Sequence, residues 1–545
     1  MTIEADLEAA MNAIKGQRFE EAAGLLTKVI ASRPADVPPR WLLVQALEGQ
    51  GDANSAMEQL GMLLSHIEKD LPAIDRIAAY MHKGRYPLRP VLDAYEHYLS
   101  FKPSSSNAAF NYAWYLAKDG QFEAAIKWYE RALQLGISAP EEVYLNIANI
   151  CMDHLYARDA AREQLEKALA LSPGYSSAHY NLGNLAEQDG DRDRASDCFE
   201  RCLQADPANE SALARLADTR KFTDRDDPLL ARLVKTAKDS ANSDVHFALG
   251  KAREQLGDFE LAWDSFSKGN ELDDRVWPAY SPSAAEAHVE QIMSIGPGTR
   301  LESNEPSSGA PVFICGMFRS GSTLLEQVLA AHPRFVAGGE SEFFPRLVAR
   351  EFPDYPLGLG EVSIDELRSW QQQHAAQLIK LLGNSSRPTD KRPDNFLYLG
   401  LIKSVIPAAK FVATERNWRD IAASVYSVRL GPGQAYARNL RDIRHYIGLQ
   451  SKLMDHWESL LGPDLIRVRY EDLVQHPEET VAELLEFLGE RWDERCLSFH
   501  ELRNSVRTAS VWQVREPLHI KSIGRWKHYE RQFVDVFGDG HGLSD

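Results

Sequence analysis

At 545 residues the chain is too long for one hydrophobic core, which predicts two or three domains. Its 44% apolar and 26% charged residues are those of a folded protein, and a formal net charge of −18 excludes the basic footprint that nonspecific nucleic-acid binding requires. Five scattered cysteines offer neither metal-ligand spacing nor a disulfide framework, and no run of about 18 apolar residues predicts a membrane-spanning helix. The opening MTIEADLEAAMNAIKGQRFEEA is acidic and amphipathic, without the basic and apolar regions of a secretory leader. Together these features predict a cytoplasmic protein.

The first half repeats itself. Residues 111–136 (NYAWYLAKDGQFEAAIKWYERALQLG) align with 179–207 so that Gly120 falls on Gly190, Ala125 on Ala195, Tyr129 on Phe199 and Ala132 on Cys202. That offset is two units of roughly 35 residues. The intervening stretch 141–173 supplies the middle unit, and Pro173 and Pro207 close successive units. Weaker copies occur at 16–34, 51–66 and 257–274, with poorer matches at 67–105 and 215–245. The period resembles the tetratricopeptide repeat (TPR), in which small residues let paired helices approach and stacked pairs bury what one pair cannot. This predicts an all-α superhelical domain over 1–275 whose groove takes a protein or peptide partner. The Ser/Pro/Gly-rich stretch 276–310 reads as a linker, with a helix near 283–294 inside it.

Residues 311–333 (PVFICGMFRSGSTLLEQVLAAHP) change the pattern: a short apolar strand, a Gly-containing loop, then an apolar-periodic helix over 322–331. Strand, Gly loop and helix N-terminus form an anion cradle of backbone N–H groups. From Gly316 to Thr323 the loop has the spacing GxxxxGK[ST], but Ser322 stands where the lysine of an NTPase would be. The cation comes instead from Arg319. A kinase reading loses its key charge there.

The loop FRSGSTLLEQVL resembles the 5′-phosphosulfate loop of sulfotransferases that use 3′-phosphoadenosine 5′-phosphosulfate (PAPS), the tyrosylprotein sulfotransferase branch above all. The resemblance covers about 311–530 and implies a P-loop-like α/β domain with a parallel sheet, placed at 311–545. Further segments match in order. The segment 336–344 implies Glu340 as the catalytic glutamate, and 389–411 implies Lys391 as the catalytic lysine. In 411–427, Arg416 and Ser424 stand in the 3′-phosphate site. Tyr470 takes the place of a nucleotide-contacting tyrosine. In 507–529, Ser510 lies near the transferring group, with Arg525 or Lys521 as the late basic residue. Ser320, Gly321, Ser322 and Thr323 would hold the 5′ side with Arg319.

Sulfuryl transfer asks for a base, cations on the sulfuryl oxygens and bridging oxygen, and a grip on the departing phosphate. The resemblance assigns these jobs to Glu340, to Arg319, Lys391 and Ser510, and to Arg416 with Ser424. PAPS is the implied donor, 3′-phosphoadenosine 5′-phosphate (PAP) the product, and no metal is required. The acceptor is a hydroxyl, a protein or peptide tyrosine if the branch resemblance extends to substrate; small phenols, glycans and lipids stay open. The alternatives are a TPR scaffold whose C-terminal domain only binds nucleotide, and a P-loop kinase.

Overall fold

A computed structural model describes residues 3–34, 36–294, 309–382, 387–508 and 510–538. The chain divides into two compact units, Met1–His179 and Tyr180–Asp545, so the division falls inside the predicted repeat domain and not at 275.

The first unit is built of helix pairs: Ile3–Lys15 with Phe19–Ser32, Val37–Gly49 with Ala53–His66, Leu71–Lys83 with Arg89–Phe101, Ser106–Lys118 with Phe122–Gln134, and Pro140–Asp153 with Arg158–Leu171. The poorly matching stretch 67–105 therefore forms a helix pair of its own. Side-chain caps mark the starts: Asp52, Asp70 and Ser105 accept from the amides of Ser55, Ala73 and Ala108. The alanines of the repeat, Ala113, Ala125 and Ala132, are fully buried where the helices approach, and Tyr129 packs edge-on against Phe110.

The second unit continues with helices Arg192–Ala205, Glu210–Thr219, Pro228–Ala237, Ser243–Gln255, Phe259–Asp274 and Pro282–Ser294. A sheet follows, of five parallel strands: β1 (Val312–Gly316), β2 (Phe335–Ala337), β3 (Arg387–Lys391), β4 (Lys410–Glu415) and β5 (Leu465–Arg469), in the order β2-β3-β1-β4-β5. Every residue of β1 is buried, because helices cover both faces of a parallel sheet and leave no polar side. Phe313, Cys315 and Phe411 pack with Leu399, Trp370 and Trp457 on one face. Val312, Ile314 and Val412 pack with Leu325, Val328 and Leu484 on the other.

The helix expected near 283–294 is present and packed, and a second helix follows the C-terminal motif. Within the predicted linker, Pro282–Ser294 buries Val289 and Ile292 in the core cluster of Phe313 and Leu453, while 295–308 lie outside the described residues. Past the C-terminal motif, Glu530–Phe537 is a helix whose Phe533 is fully buried against Trp418.

The helix pair Ser243–Gln255 and Phe259–Asp274 is part of the same core as the sheet domain. Phe247, Ala262 and Phe266 share one apolar cluster with Met317, Trp418 and Ile421. Trp263 stacks on Tyr426 at 4.4 Å, and Asn270 Nδ2 donates to the Tyr426 carbonyl. Arg429 pairs with Asp244 and Asp273, and Arg438 with Asp274.

Candidate active site

The residues singled out by sequence gather at the C-terminal ends of the strands, where an open parallel sheet leaves its crevice. β1 stands at the centre, and later strands join on both of its sides. Its end turns through Gly316, at φ +147°, into the loop 317–321. A Cβ on Gly316 would lie 2.4 Å from Thr414 Oγ1 and 2.5 Å from the Thr414 carbonyl on β4, so the loop can leave the sheet here only on glycine. Ser320 fastens it: its Oγ donates to the Met317 carbonyl at 2.7 Å and meets Thr414 Oγ1 at 2.6 Å. Gly321 (φ +104°) precedes the helix Ser322–Ala330, whose first-turn amides at Ser322 and Thr323 come before any intrahelical acceptor. Thr323 Oγ1 donates to Thr508 Oγ1 at 3.3 Å, tying the loop to the C-terminal segment.

Arg319 also has a positive φ, +72°, unusual for a side chain of its size. Its fork joins three elements: Nε donates to Ser424 Oγ at 3.0 Å, Nη1 to Ser510 Oγ and Nη2 to Gln513 Oε1 at 2.8 Å. Arg416, just beyond β4, donates from Nη1 to the Arg319 carbonyl and from Nη2 to the Ser522 carbonyl, with its guanidinium 4.4 Å above the Tyr470 ring. Ser424 is buried in the helix Trp418–Tyr426 that follows. Tyr470 is buried too, and its ring edge fills the space beside Gly321.

Arg525 completes the cluster. Burial works against its charge, but Glu254 outweighs this and holds its pKa above the ordinary range. Glu254 accepts from Arg525 Nε and Nη2, both at 2.6 Å, and Nη2 also donates to Ser427 Oγ at 2.9 Å. The carboxylate comes from the repeat helix Ser243–Gln255. Lys521, the other predicted late basic residue, is exposed. Burial, then the positive charges of Arg525 and Arg416, push the Arg319 pKa down to about 10. Three arginines crowd one place; Glu254 pairs with Arg525, and the carboxylates of Asp420 and Glu471 lie near enough to favour the charge of Arg416, yet Arg319 pairs with no carboxylate among the described residues, a geometry that suits an anion.

Glu340 and Lys391 meet beside this cluster. Lys391 ends β3, is fully buried, and donates from Nζ to Glu340 Oε1 at 2.5 Å, while Glu340 keeps about a third of its side chain exposed. Behind them sits Glu326, buried on the loop helix. It accepts the Gly339 amide at 3.0 Å and the Thr389 hydroxyl at 2.9 Å, so one carboxylate fixes the backbone beside Glu340 and the strand carrying Lys391. Burial raises the pKa of Glu326, against the pull of Lys391. Asp390, also buried, rises to about 7, chiefly by desolvation. His332 lies off the site, its Nε2 bonded to the Arg491 carbonyl at 3.0 Å. No group of three or more His, Cys, Asp or Glu residues able to hold a metal ion occurs among the described residues, and no helix among them is long and apolar enough to cross a membrane.

Sequence reasoning missed Glu254, Gln513, Ser427 and Glu326. Only Glu326 left a trace, as an acid inside the otherwise apolar run LLEQVL.

Comparison with known proteins agrees with this architecture. Residues 311–494 match the sulfotransferase family, and 13–79, 88–140 and 176–209 match tetratricopeptide repeats. The chain thus joins tetratricopeptide repeats to a sulfotransferase-family domain. It is similar to an uncharacterized protein of Aquifex aeolicus, 27% identical over 417 residues, which cover 72% of this chain and 54% of that protein. It is also similar to protein-tyrosine sulfotransferase 1 of Danio rerio, 27% identical over 233 residues, covering 39% of this chain and 65% of that one. The chain therefore spans between half and two thirds of these relatives. Among solved structures, the sulfotransferase domain from the Synechococcus PCC 7002 olefin synthase aligns with a TM-score of 0.32 and 18% identity, over 42% of this chain and 91% of that one.

Proposed function

We propose that this protein is a sulfotransferase that moves a sulfuryl group from PAPS to an acceptor hydroxyl, with a tyrosine in a protein or peptide as the acceptor and the helical repeats as its docking platform. The observation that carries this reading is the meeting of Arg319, Arg416 and Arg525 over a Gly loop that has serine in place of the NTPase lysine. A donor with phosphates at both the 5′ and 3′ positions spreads its negative charge over such a cluster. Arg416 and Ser424 would hold the 3′-phosphate, with Arg525 as a further cation beside them. Ser320 to Thr323 and Tyr470 would hold the 5′ side.

The donor supplies the sulfuryl group. Glu340 takes the proton of the acceptor hydroxyl as its oxygen bonds to sulfur and the bond from sulfur to the phosphate oxygen breaks. Lys391 and Arg319, with Ser510 as a further donor, neutralise the charge that builds on the sulfuryl and bridging oxygens. None of these roles calls for a metal. The likeness to protein-tyrosine sulfotransferases favours tyrosine as the acceptor. Five buried, unpaired cysteines suit a reducing compartment, and we place the protein in the cytoplasm.

Calorimetric titration with PAP, ADP and ATP in the absence of Mg²⁺ tests the donor. PAP should bind tightest, and Arg416→Ala should weaken PAP by about 10- to 100-fold while changing ADP little. ATP binding as tightly as PAP, or an Arg416→Ala protein with full PAP affinity, would overturn the reading.

A further inference from the structure

A cavity of about 340 Å³ lies within the first compact unit, on helices Leu71–Lys83, Arg89–Phe101, Ser106–Lys118 and Pro140–Asp153. Its walls are aromatic: Tyr95, Phe110, Trp114 and Tyr115, with Tyr95 stacked on Tyr115 at 5.5 Å and Trp114 edge-on to Tyr115 at 4.9 Å. Two carboxylates reach it, Asp75 and Glu142. Asp75 Oδ1 accepts from the Tyr95 hydroxyl at 2.5 Å and from Asn111 Nδ2 at 2.8 Å, which fixes the group in place. Among the described residues, Asp75 Oδ2 and both oxygens of Glu142 accept nothing and pair with no cation.

A carboxylate fixed at Asp75, with the exposed carboxylate of Glu142 at the rim, beside a set of aromatic faces selects for positive charge, because the rings add their own negative faces to the field. Lys118 already lies over one face of Trp114, 4.8 Å from its centroid. The polar wall continues as Asn111 and Asn146, which follow Asp75 at about one repeat's spacing each. The amide nitrogens of both are engaged, Asn111 with Asp75 and Asn146 with the Glu142 carbonyl at 2.8 Å. Their carbonyl oxygens accept nothing among the described residues, which leaves a row of acceptors for the N–H groups of an extended chain.

We infer that this cavity binds an arginine or lysine side chain of an extended peptide segment, so that the first unit recruits partners with exposed basic residues. The inference stands apart from the transfer reaction, since every residue in it belongs to the first compact unit. Calorimetric titration of the full-length protein with the blocked peptide acetyl-Ala-Ala-Ala-Ala-Arg-Ala-Ala-Ala-Ala-amide, its citrulline and glutamate counterparts, and spermidine tests it. The arginine peptide should bind about tenfold or more tighter than the citrulline peptide, with the glutamate peptide weakest. Asp75→Asn keeps an acceptor for Tyr95 and Asn111, and Glu142→Gln changes only an exposed side chain. Each should cut the arginine-to-citrulline ratio by about threefold or more without shifting the thermal unfolding midpoint. Equal affinity for arginine and citrulline peptides, or an arginine peptide that fails to bind, overturns the cation site. Spermidine binding as tightly as the arginine peptide overturns the peptide as its occupant.

Discussion

Asp390 places a carboxyl group where the fold tolerates its charge poorly. It is 3% exposed on β3, between Thr389 and Lys391, and Asn395 Nδ2 donates to it at 3.1 Å. Desolvation lifts its pKa from 3.8 to about 7, opposed by the Asn395 hydrogen bond and reinforced by the negative charge of Glu326. Between these two values the folded protein holds a proton that the unfolded chain has released. The stability this group contributes is complete below pH 3.8 and is lost as pH rises through 7. At about 1.4 kcal/mol for each tenfold change in proton affinity, the full loss is about 4 kcal/mol. Asp390→Asn keeps the shape and the acceptor and removes the titration. The variant should be more stable than wild type by about 4 kcal/mol at pH 8 but by less than about 2 kcal/mol at pH 5. Urea unfolding followed by hydrogen-exchange mass spectrometry on the peptide covering 387–392 reads the difference. Stability curves for the two proteins that run parallel from pH 5 to 8 would refute the reasoning.

Three further substitutions probe the loop and its arginines. Glu254→Gln strips Arg525 of its counter-charge and should lower stability by about 1–3 kcal/mol in urea unfolding, with the loss shrinking in saturating PAP as phosphate takes the place of the carboxylate. Gly316→Ala forces a Cβ onto Thr414 Oγ1 and the β4 backbone at a φ that disfavours it, and should cost about 3 kcal/mol or more, seen as a large drop in Tm. Arg319→Lys replaces a fork that reaches Ser424, Ser510 and Gln513 with one point charge. Sulfuryl transfer in a labelled-donor assay should fall about 100-fold or more while Tm stays close to wild type.

What could be read in the sequence follows how local the signal is. The loop 316–323 announces itself, because a strand, two glycines and an apolar helix within a few residues leave few folds open. Arg416 and Ser424 come as one short motif, and the structure brings both to Arg319, directly or through its carbonyl. Glu254 left no signal. In sequence it is one more acid on an amphipathic repeat helix, and only packing of the chain over 271 positions brings it to Arg525. The sequence predicts the helix at 282–294 but not its packing, and does not predict the helix at 530–537. Ser/Pro/Gly composition places the first helix in a linker and hides that Val289 and Ile292 pack into the sheet domain's core, and nothing in the sequence sets the second apart, yet its Phe533 is fully buried. Glu326 shows the limit of apolar patterning: a buried acid satisfied by a backbone amide and a threonine looks, in one dimension, like an interruption.

The bond between Glu254 and Arg525 bears on how such a protein can be divided and inherited. A fragment beginning at residue 311 would lose the carboxylates that face Arg525, Arg429 and Arg438, and would open Trp418 and Tyr426 to water where Phe266 and Trp263 now cover them. The heritable module is therefore larger than the segment 311–530 that carries the site motifs. A gene exchange that moves the sheet domain intact must carry the helix pair 243–274 along with it. In related chains, residues 254 and 525 should change together, because a lone change at either breaks a two-bond ion pair that joins half-buried charges.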